Sequence, residues 1–178
     1  TFLDEKGSLN QASEADRRRK DDKASALSLN GLPVGIKDII DTCDMPTENG
    51  TVACRGRRPG QDAAVIERLR KAGAVVMGKT VTAELAVYTP GKTTNPHDPA
   101  RTPGGSSSGS AAAVASGMVP MAIGTQTNGS VIRPTSYCGV VGYKPTFGMI
   151  PRKGILRQAP SLDQVGVFTR NVADSALL

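Results

Sequence analysis

The sequence predicts an α/β fold, a β-sheet with helices on both faces, and three observations carry that expectation. Short apolar runs bounded by turn residues recur at 32–36, 74–78, 119–124 and 138–143, as buried strands do. Helix-prone segments at 62–71 and 111–116 alternate with them, the order that gives a layered α/β architecture. The chain of 178 residues suits one domain, with no internal repeat and no linker. Trp is absent and only three Phe and three Tyr are present, so the core must rest on Ala, Val, Ile and Leu.

Taken in order, residues 1–30 form a lead-in and 31–178 the core portion. Residues 11–28 are charged and Ala-rich, most simply a surface helix. Its cluster Arg17-Arg18-Arg19-Lys20 is followed at once by Asp21 and Asp22 and has no aromatic neighbours. That pattern reads as a solvated helix face rather than a nucleic-acid patch, despite the net charge of +6. Leu32-Pro33-Val34-Gly35-Ile36 reads as a buried strand that delivers Lys37 at its C-terminal end. Asp62 can cap a helix whose apolar face is Val65, Ile66 and Leu69, and Gly73 can stop it. The strand 74–78 follows, and Thr80 can cap a short helix through Val87. Residues 89–110, rich in Pro, Gly, Thr and Ser, form a long loop ending in a Gly/Ser turn. Residues 111–116 then form a helix, so backbone N–H groups at its start face the turn. Strands at 119–124 and 138–143 come next, and 172–178 reads as a helix cut in mid-course.

Composition excludes several classes. No run of 18 apolar residues exists, so no helix spans a membrane, and the start has no apolar signal core. Cys43, Cys54 and Cys138 are odd in number and lack a C-x-x-C pair, which points to free thiols in a reducing cytoplasm rather than to zinc or disulfides. No metal and no organic cofactor is expected. Without an initiating Met, and with a helix broken at the end, the chain reads as a truncated N-terminal portion of something longer.

The chemistry lies in a few polar blocks. A serine attacking a carbonyl needs a base beside it, and the chain has one His. That residue, His97, sits in a Pro-rich loop with no matching Ser or Asp block and reads as structural. The Gly/Ser turn Pro103-Gly104-Gly105-Ser106-Ser107-Ser108-Gly109-Ser110 supplies one serine, Asn128-Gly129-Ser130 a second, and Gly35-Ile36-Lys37-Asp38 a lysine. A lysine acts as a base only when neutral, so its ordinary pKa of about 10.4 must fall by roughly three units, which burial among apolar neighbours can produce. Gly129 would permit a positive φ there, letting the N–H groups of Thr127, Asn128, Gly129 and Ser130 converge as an oxyanion hole.

These blocks resemble the amidase signature family, together with Thr94-Asn95-Pro96, Ala111-Ala112-Ala113-Val114-Ala115 and Tyr137-Cys138-Gly139-Val140-Val141-Gly142-Tyr143-Lys144-Pro145-Thr146. The likeness runs from about Leu32 to the end. It implies a mixed sheet wrapped by helices and a Ser-cisSer-Lys triad, with Ser130 as nucleophile, Ser106 as the cis-bonded bridge and Lys37 as base. It also implies a small-molecule amide as substrate, neither nucleic acid nor membrane as partner, and leaves a homodimer open.

Three positions depart from the family's usual pattern. Gln126 stands where an acidic residue is usual, Asn128 where Gly or Ala is usual, and Arg133 three residues after the serine rather than two. Gln126, Arg133 and the run Val34 to Thr42 are most similar to malonamidase-type members, which implies a small amide bearing a carboxylate. Arg133 would bind that carboxylate through its planar fork. The alternative is an arginine pinning the next loop to a carbonyl or to Asp163. Other readings are an amidase of neutral aliphatic or aryl amides, and a non-catalytic fragment or scaffold that keeps the signature. Members acting on mischarged tRNA match less well at Gln126 and Arg133.

Overall fold

A computed structural model describes residues 1–21 and 27–178. Six strands form one mixed sheet in the order β1-β3-β2-β4-β6-β5: β1 (Phe2–Leu3), β2 (Pro33–Lys37), β3 (Val75–Thr80), β4 (Met121–Gln126), β5 (Val141–Tyr143) and β6 (Gln164–Thr169). The centre is parallel, β2 lying between β3 and β4, while β1, β6 and β5 join antiparallel. Successive side chains of a strand point to opposite faces, and the core divides accordingly. Met121 and Ile123 of β4, with Val165 and Val167 of β6, pack with Val65, Ile66 and Leu69 of helix α2 (Ala64–Lys71). Ala122 and Phe168 face the other way, against Ala111 and Val114 of helix α3 (Ser108–Ala115) and Cys138 of helix α4 (Ile132–Cys138). Helices thus cover both faces, as the sequence predicts. Helix α1 (Glu5–Lys20) and helix α5 (Val172–Leu177) complete the set among the described residues.

Several local expectations need correction. Helix α1 starts at Glu5, because the Asp4 carboxylate accepts the Gly7 N–H at 3.0 Å, and it ends at Lys20. Of the expected helix 11–28, residues 22–26 lie outside the described residues. Asp62 does not cap α2; its carboxylate instead accepts from the Cys43 N–H and the Arg70 Nε, both at 2.8 Å, and Ala63 takes the cap position. Gly73 ends α2 with φ +88°, as expected. Thr80 belongs to β3 and caps nothing. The stretch through Val87 holds one 3₁₀ turn, Glu84–Ala86, because its N–H groups are taken by distant carbonyls: Ala83 by Ser106, Glu84 by Thr89 and Leu85 by Asn49. The run from Cys138 is strand only over Val141–Tyr143. Cys138 closes α4, whose Pro134 is tolerated in the first turn and whose end is set by Gly139 at φ +66°. Strands β1 and β6 and helix α4 were not expected from the sequence.

The C-terminal ends of the parallel strands share one edge, and α3 begins there. Lys37 aligns with Thr80, and Ile36 with Ile123. The Gly109 N–H donates to the Val81 carbonyl at 2.9 Å, and the Ala83 N–H donates to the Ser106 carbonyl at 2.9 Å. This is the crevice at which ligands bind in open α/β sheets. The approach is so close that a Cβ on Gly109 would lie 2.2 Å from the Val81 nitrogen. Backbone cannot move aside cheaply, so Gly109→Ala should destabilise the protein by about 2 kcal/mol or more. Gly60→Ala, where a Cβ meets nothing within 4 Å, should change stability by about 0.5 kcal/mol at most. Urea denaturation of both variants checks the pair.

Candidate active site

Lys37 is the last residue of β2 and is fully buried. Its amine donates to two hydroxyls, Ser106 Oγ at 2.8 Å and Thr125 Oγ1 at 2.9 Å, and makes no ion pair among the described residues. Burial pushes its pKa down to about 7, and the negative charge of Asp163 opposes that only in part. Full burial and two neutral hydroxyl partners are surroundings of the kind that lower a lysine. The carboxylate next in sequence, Asp38, pairs with Lys79 instead.

Ser106 opens the segment that enters α3 and is almost fully buried, and its peptide bond with Gly105 is cis, as the resemblance implied. The following residue fixes it in place. Ser107 Oγ donates to the Thr125 carbonyl at 3.0 Å and accepts the Thr125 N–H at 3.3 Å. Thr125 therefore holds the Gly/Ser turn with its backbone and the lysine with its side chain. Sequence reading missed this residue. The available signal was its position near the end of a strand that leads into the Asn-Gly-Ser turn.

Ser130 lies in the turn between β4 and α4, 7% exposed, and its hydroxyl has no protein partner among the described residues. No hydrogen bond joins it to Ser106 among those residues, so only the Lys37–Ser106 link of the expected chain is formed. Gln126, at the end of β4, accepts the N–H groups of Val131 and Ile132 through Oε1, both at 3.0 Å. Those two amides are thereby occupied. The N–H groups of Thr127, Asn128, Gly129 and Ser130 enter no loop or turn hydrogen bond among the described residues. Gly129 does not adopt the positive φ expected of it, so backbone freedom is not what this position requires. A Cβ there would lie 2.7 Å from the Arg133 guanidinium, the mobile end of an exposed side chain that could shift aside.

Arg133, in the first turn of α4, is exposed, and its Nη1 reaches the Gly105 carbonyl at a long 3.5 Å. It makes no ion pair among the described residues. Asp163, the alternative partner, is occupied elsewhere, accepting from Thr127 Oγ1 at 2.7 Å and from the Gln158 and Ala159 N–H groups. Arg133 lines a cavity of about 400 Å³ with Gly104, Gly105, Ser108, Val87 and Tyr137. A second cavity of about 390 Å³, on the Thr125 and Thr127 side, is lined by Ile39, Leu156, Gln158 and Asp163. Asn128 is exposed and lines neither cavity. His97 is structural: its Nε2 bonds the Cys138 carbonyl at 2.8 Å, and Asn95 donates to the Tyr137 carbonyl at 2.9 Å, so the loop caps α4.

A buried amine with a lowered pKa works against folding. Between about 7 and the ordinary 10.5 the unfolded chain holds a proton on Lys37 that the folded chain lacks, so stability rises with pH through that window. Below about 7 the penalty is fully present. Lys79, lowered to about 8 by burial, acts in the same direction above that value. Lys37→Met should therefore raise stability at pH 7 by about 1–3 kcal/mol and flatten its rise towards pH 10. Thermal melts at pH 7 and pH 9.5 check it, and an unchanged pH slope would contradict the assignment of a neutral amine.

The Amidase family matches residues 1–178. A glutamyl-tRNA(Gln) amidotransferase subunit of Chloroflexus aggregans is 46% identical over 183 aligned residues, covering 99% of this chain and 37% of that protein. Among solved structures, the native peptide amidase from Stenotrophomonas maltophilia superposes with a TM-score of 0.91 at 40% identity, over 98% of this chain and 37% of that one. The corresponding glutamyl-tRNA(Gln) amidotransferase subunit from Thermotoga maritima gives 0.80 at 46% identity, over 83% and 34%. The chain spans little more than a third of the length of these relatives. A family match along its whole length, joined to a backbone that superposes on solved amidases, shows that the chain belongs to the amidase family.

Proposed function

We propose that the protein hydrolyses a carbon–nitrogen amide bond through a serine acyl-enzyme. The observation that carries this is the Lys37 amine, buried, lowered in pKa to about 7 and held 2.8 Å from Ser106. In this reading Lys37 takes a proton from Ser106 as Ser106 takes one from Ser130, and Ser130 Oγ attacks the amide carbon. The second link tightens only when substrate is bound, since catalytic hydrogen bonds in unliganded sites are often long. The N–H groups of residues 127–130 receive the developing oxyanion. The proton returns along the same path to the leaving nitrogen, the C–N bond breaks, and water then releases the acid and regenerates Ser130.

For the substrate we propose a small amide that also bears a carboxylate, malonamate-like. The support is Arg133: a fork three residues after Ser130 in the chain and close to Gly129, without a carboxylate partner among the described residues, on the wall of a cavity. The malonamidase-type detail rests on Gln126 and Arg133, not on the relatives above. The 46% identity to a glutamyl-tRNA(Gln) amidotransferase subunit favours a second reading, in which the protein is one component of an amide-transfer assembly. Activity of the full-length protein alone on simple amides separates the two, because a component of such an assembly would need its partners. A cytoplasmic setting, proposed from the three free thiols, accords with the lack of any described helix long and apolar enough to cross a membrane.

Ser130→Ala should abolish the acyl adduct seen by intact-protein mass spectrometry after mixing with an ester or amide substrate. Lys37→Ala should come close to it, and the double variant should be little worse than either single, because groups acting as a unit lose activity non-additively. Clearly additive losses would separate Lys37 from the nucleophile. Arg133→Lys should lower kcat/KM for carboxylate-bearing amides by about 30- to 150-fold, from roughly 2–3 kcal/mol of lost charge-assisted pairing, and spare neutral amides. Equal damage to both substrates with a lowered Tm would remove the carboxylate claim.

A further inference from the structure

The molecule holds a second buried lysine that the reaction does not use. Lys79 sits near the end of β3, directly beside Lys37's strand, and its side chain is as inaccessible as that of its partner Asp38, at 0% and 1% exposure. All its contacts fall in the segment that leaves β2 immediately after Lys37. The ammonium donates to the Ile40 carbonyl at 2.8 Å, to Thr47 Oγ1 at 2.5 Å and to the Pro46 carbonyl at 3.3 Å, and pairs with Asp38 Oδ1 at 3.4 Å. The Asp38 carboxylate also accepts the Glu48 N–H, and its backbone is held on both sides, by the Thr80 carbonyl and the Asn49 N–H.

Burying two charges is costly, and a buried pair often stabilises a fold no more than apolar residues of the same size would. The location of this pair suggests what it does. Asp38 follows Lys37 directly in the chain, and its pairing with Lys79 fixes where that buried negative charge sits relative to the amine. We propose that Lys79 is a positioning residue for the base: it sequesters the Asp38 carboxylate and ties down residues 40–47, so that the Lys37 amine meets only the hydroxyls of Ser106 and Thr125.

The other charges around Lys79 are Asp41, which favours its ammonium, and Arg57, which opposes it; Asp41 and Arg57 are themselves paired at 2.7 Å. Around Lys37 the remaining charge is Asp163. Lys79 and Arg57 thus balance Asp38 and Asp41 as long as Lys79 keeps its proton, while Glu48 beside Asp38 and Asp163 beside Lys37 stand outside these two pairs. Burial lowers Lys79 only to about 8, since Asp38 resists the fall. Asp38 in turn is raised by burial and held down by Lys79.

The proposal rests on Lys37 as the base, but its test does not need turnover. Side-chain NMR of isotope-labelled lysine, on the full-length protein, reads the titration midpoint of Lys37 directly. Lys79→Met leaves Asp38 without its cation and should raise that midpoint by about half a pH unit or more. Adding Asp38→Asn to Lys79→Met removes both charges and should restore the wild-type midpoint. Should Lys79→Met not fold, Asp38→Asn alone leaves the ammonium on its three neutral acceptors and should lower the midpoint. A midpoint that stays at the wild-type value in Lys79→Met, or in Asp38→Asn where that variant is the one available, would reduce Lys79 to a structural residue and overturn the proposal. A wild-type midpoint near 10 would instead overturn the reading of Lys37 as a base, so the two failures are distinguishable.

Discussion

The arrangement depends on one constraint: a lysine amine held in the interior without a counter-ion. Water solvates an ammonium far better than any protein interior does, so an amine in that position gives up its proton unless a carboxylate rescues it. Lys37 is offered only two hydroxyls. Everything nearby keeps it so. Its strand is central in the sheet, its neighbours Ile36, Ile39 and Ile40 are buried, and the adjacent carboxylate faces another cation. The stability lost there is recovered in an apolar core that spans both faces of the sheet.

Parallel strands solve the associated problem of bringing distant residues together. Lys37, Thr125 and the turn at Ser130 lie at the same edge because β2 and β4 run side by side in register. Ser106 arrives from outside the sheet, carried on the segment that packs on the backbone of Val81 and is pinned to Thr125 by Ser107. Two separate attachments thus fix the bridging serine. The turn that carries Ser130 is fixed from the opposite direction, by the Gln126 amide oxygen that accepts the Val131 and Ile132 N–H groups.

Much of this was legible in the sequence. Apolar runs located β2, β3 and β4, because strands buried on both faces read as continuous hydrophobic stretches. The Gly/Ser turn, the Asn-Gly-Ser turn and the lysine that ends β2 stood out as blocks. What stayed hidden has identifiable causes. Strand β6 begins with Gln164 and is interrupted by Gly166, so it lacked a clear apolar run. Helix α4 is short and contains Pro134, which reads as a breaker unless its place in the first turn is known. Asp62 had the right residue type for a cap but was claimed by Arg70 and the Cys43 amide, contacts that only the folded chain creates. Thr125 was invisible because a single threonine in a strand carries no motif, and Gly129 was read for a positive φ that the backbone does not adopt.

Gln126 takes a place where the sequence resemblance leads one to expect an acid, and its amide oxygen accepts the Val131 and Ile132 N–H groups at the start of α4. A carboxylate in that place would accept the same two hydrogen bonds with greater strength, but it would also titrate. The neutral amide has no proton to gain or lose, so these two hydrogen bonds keep the same donors and the same acceptor in acid and in alkali.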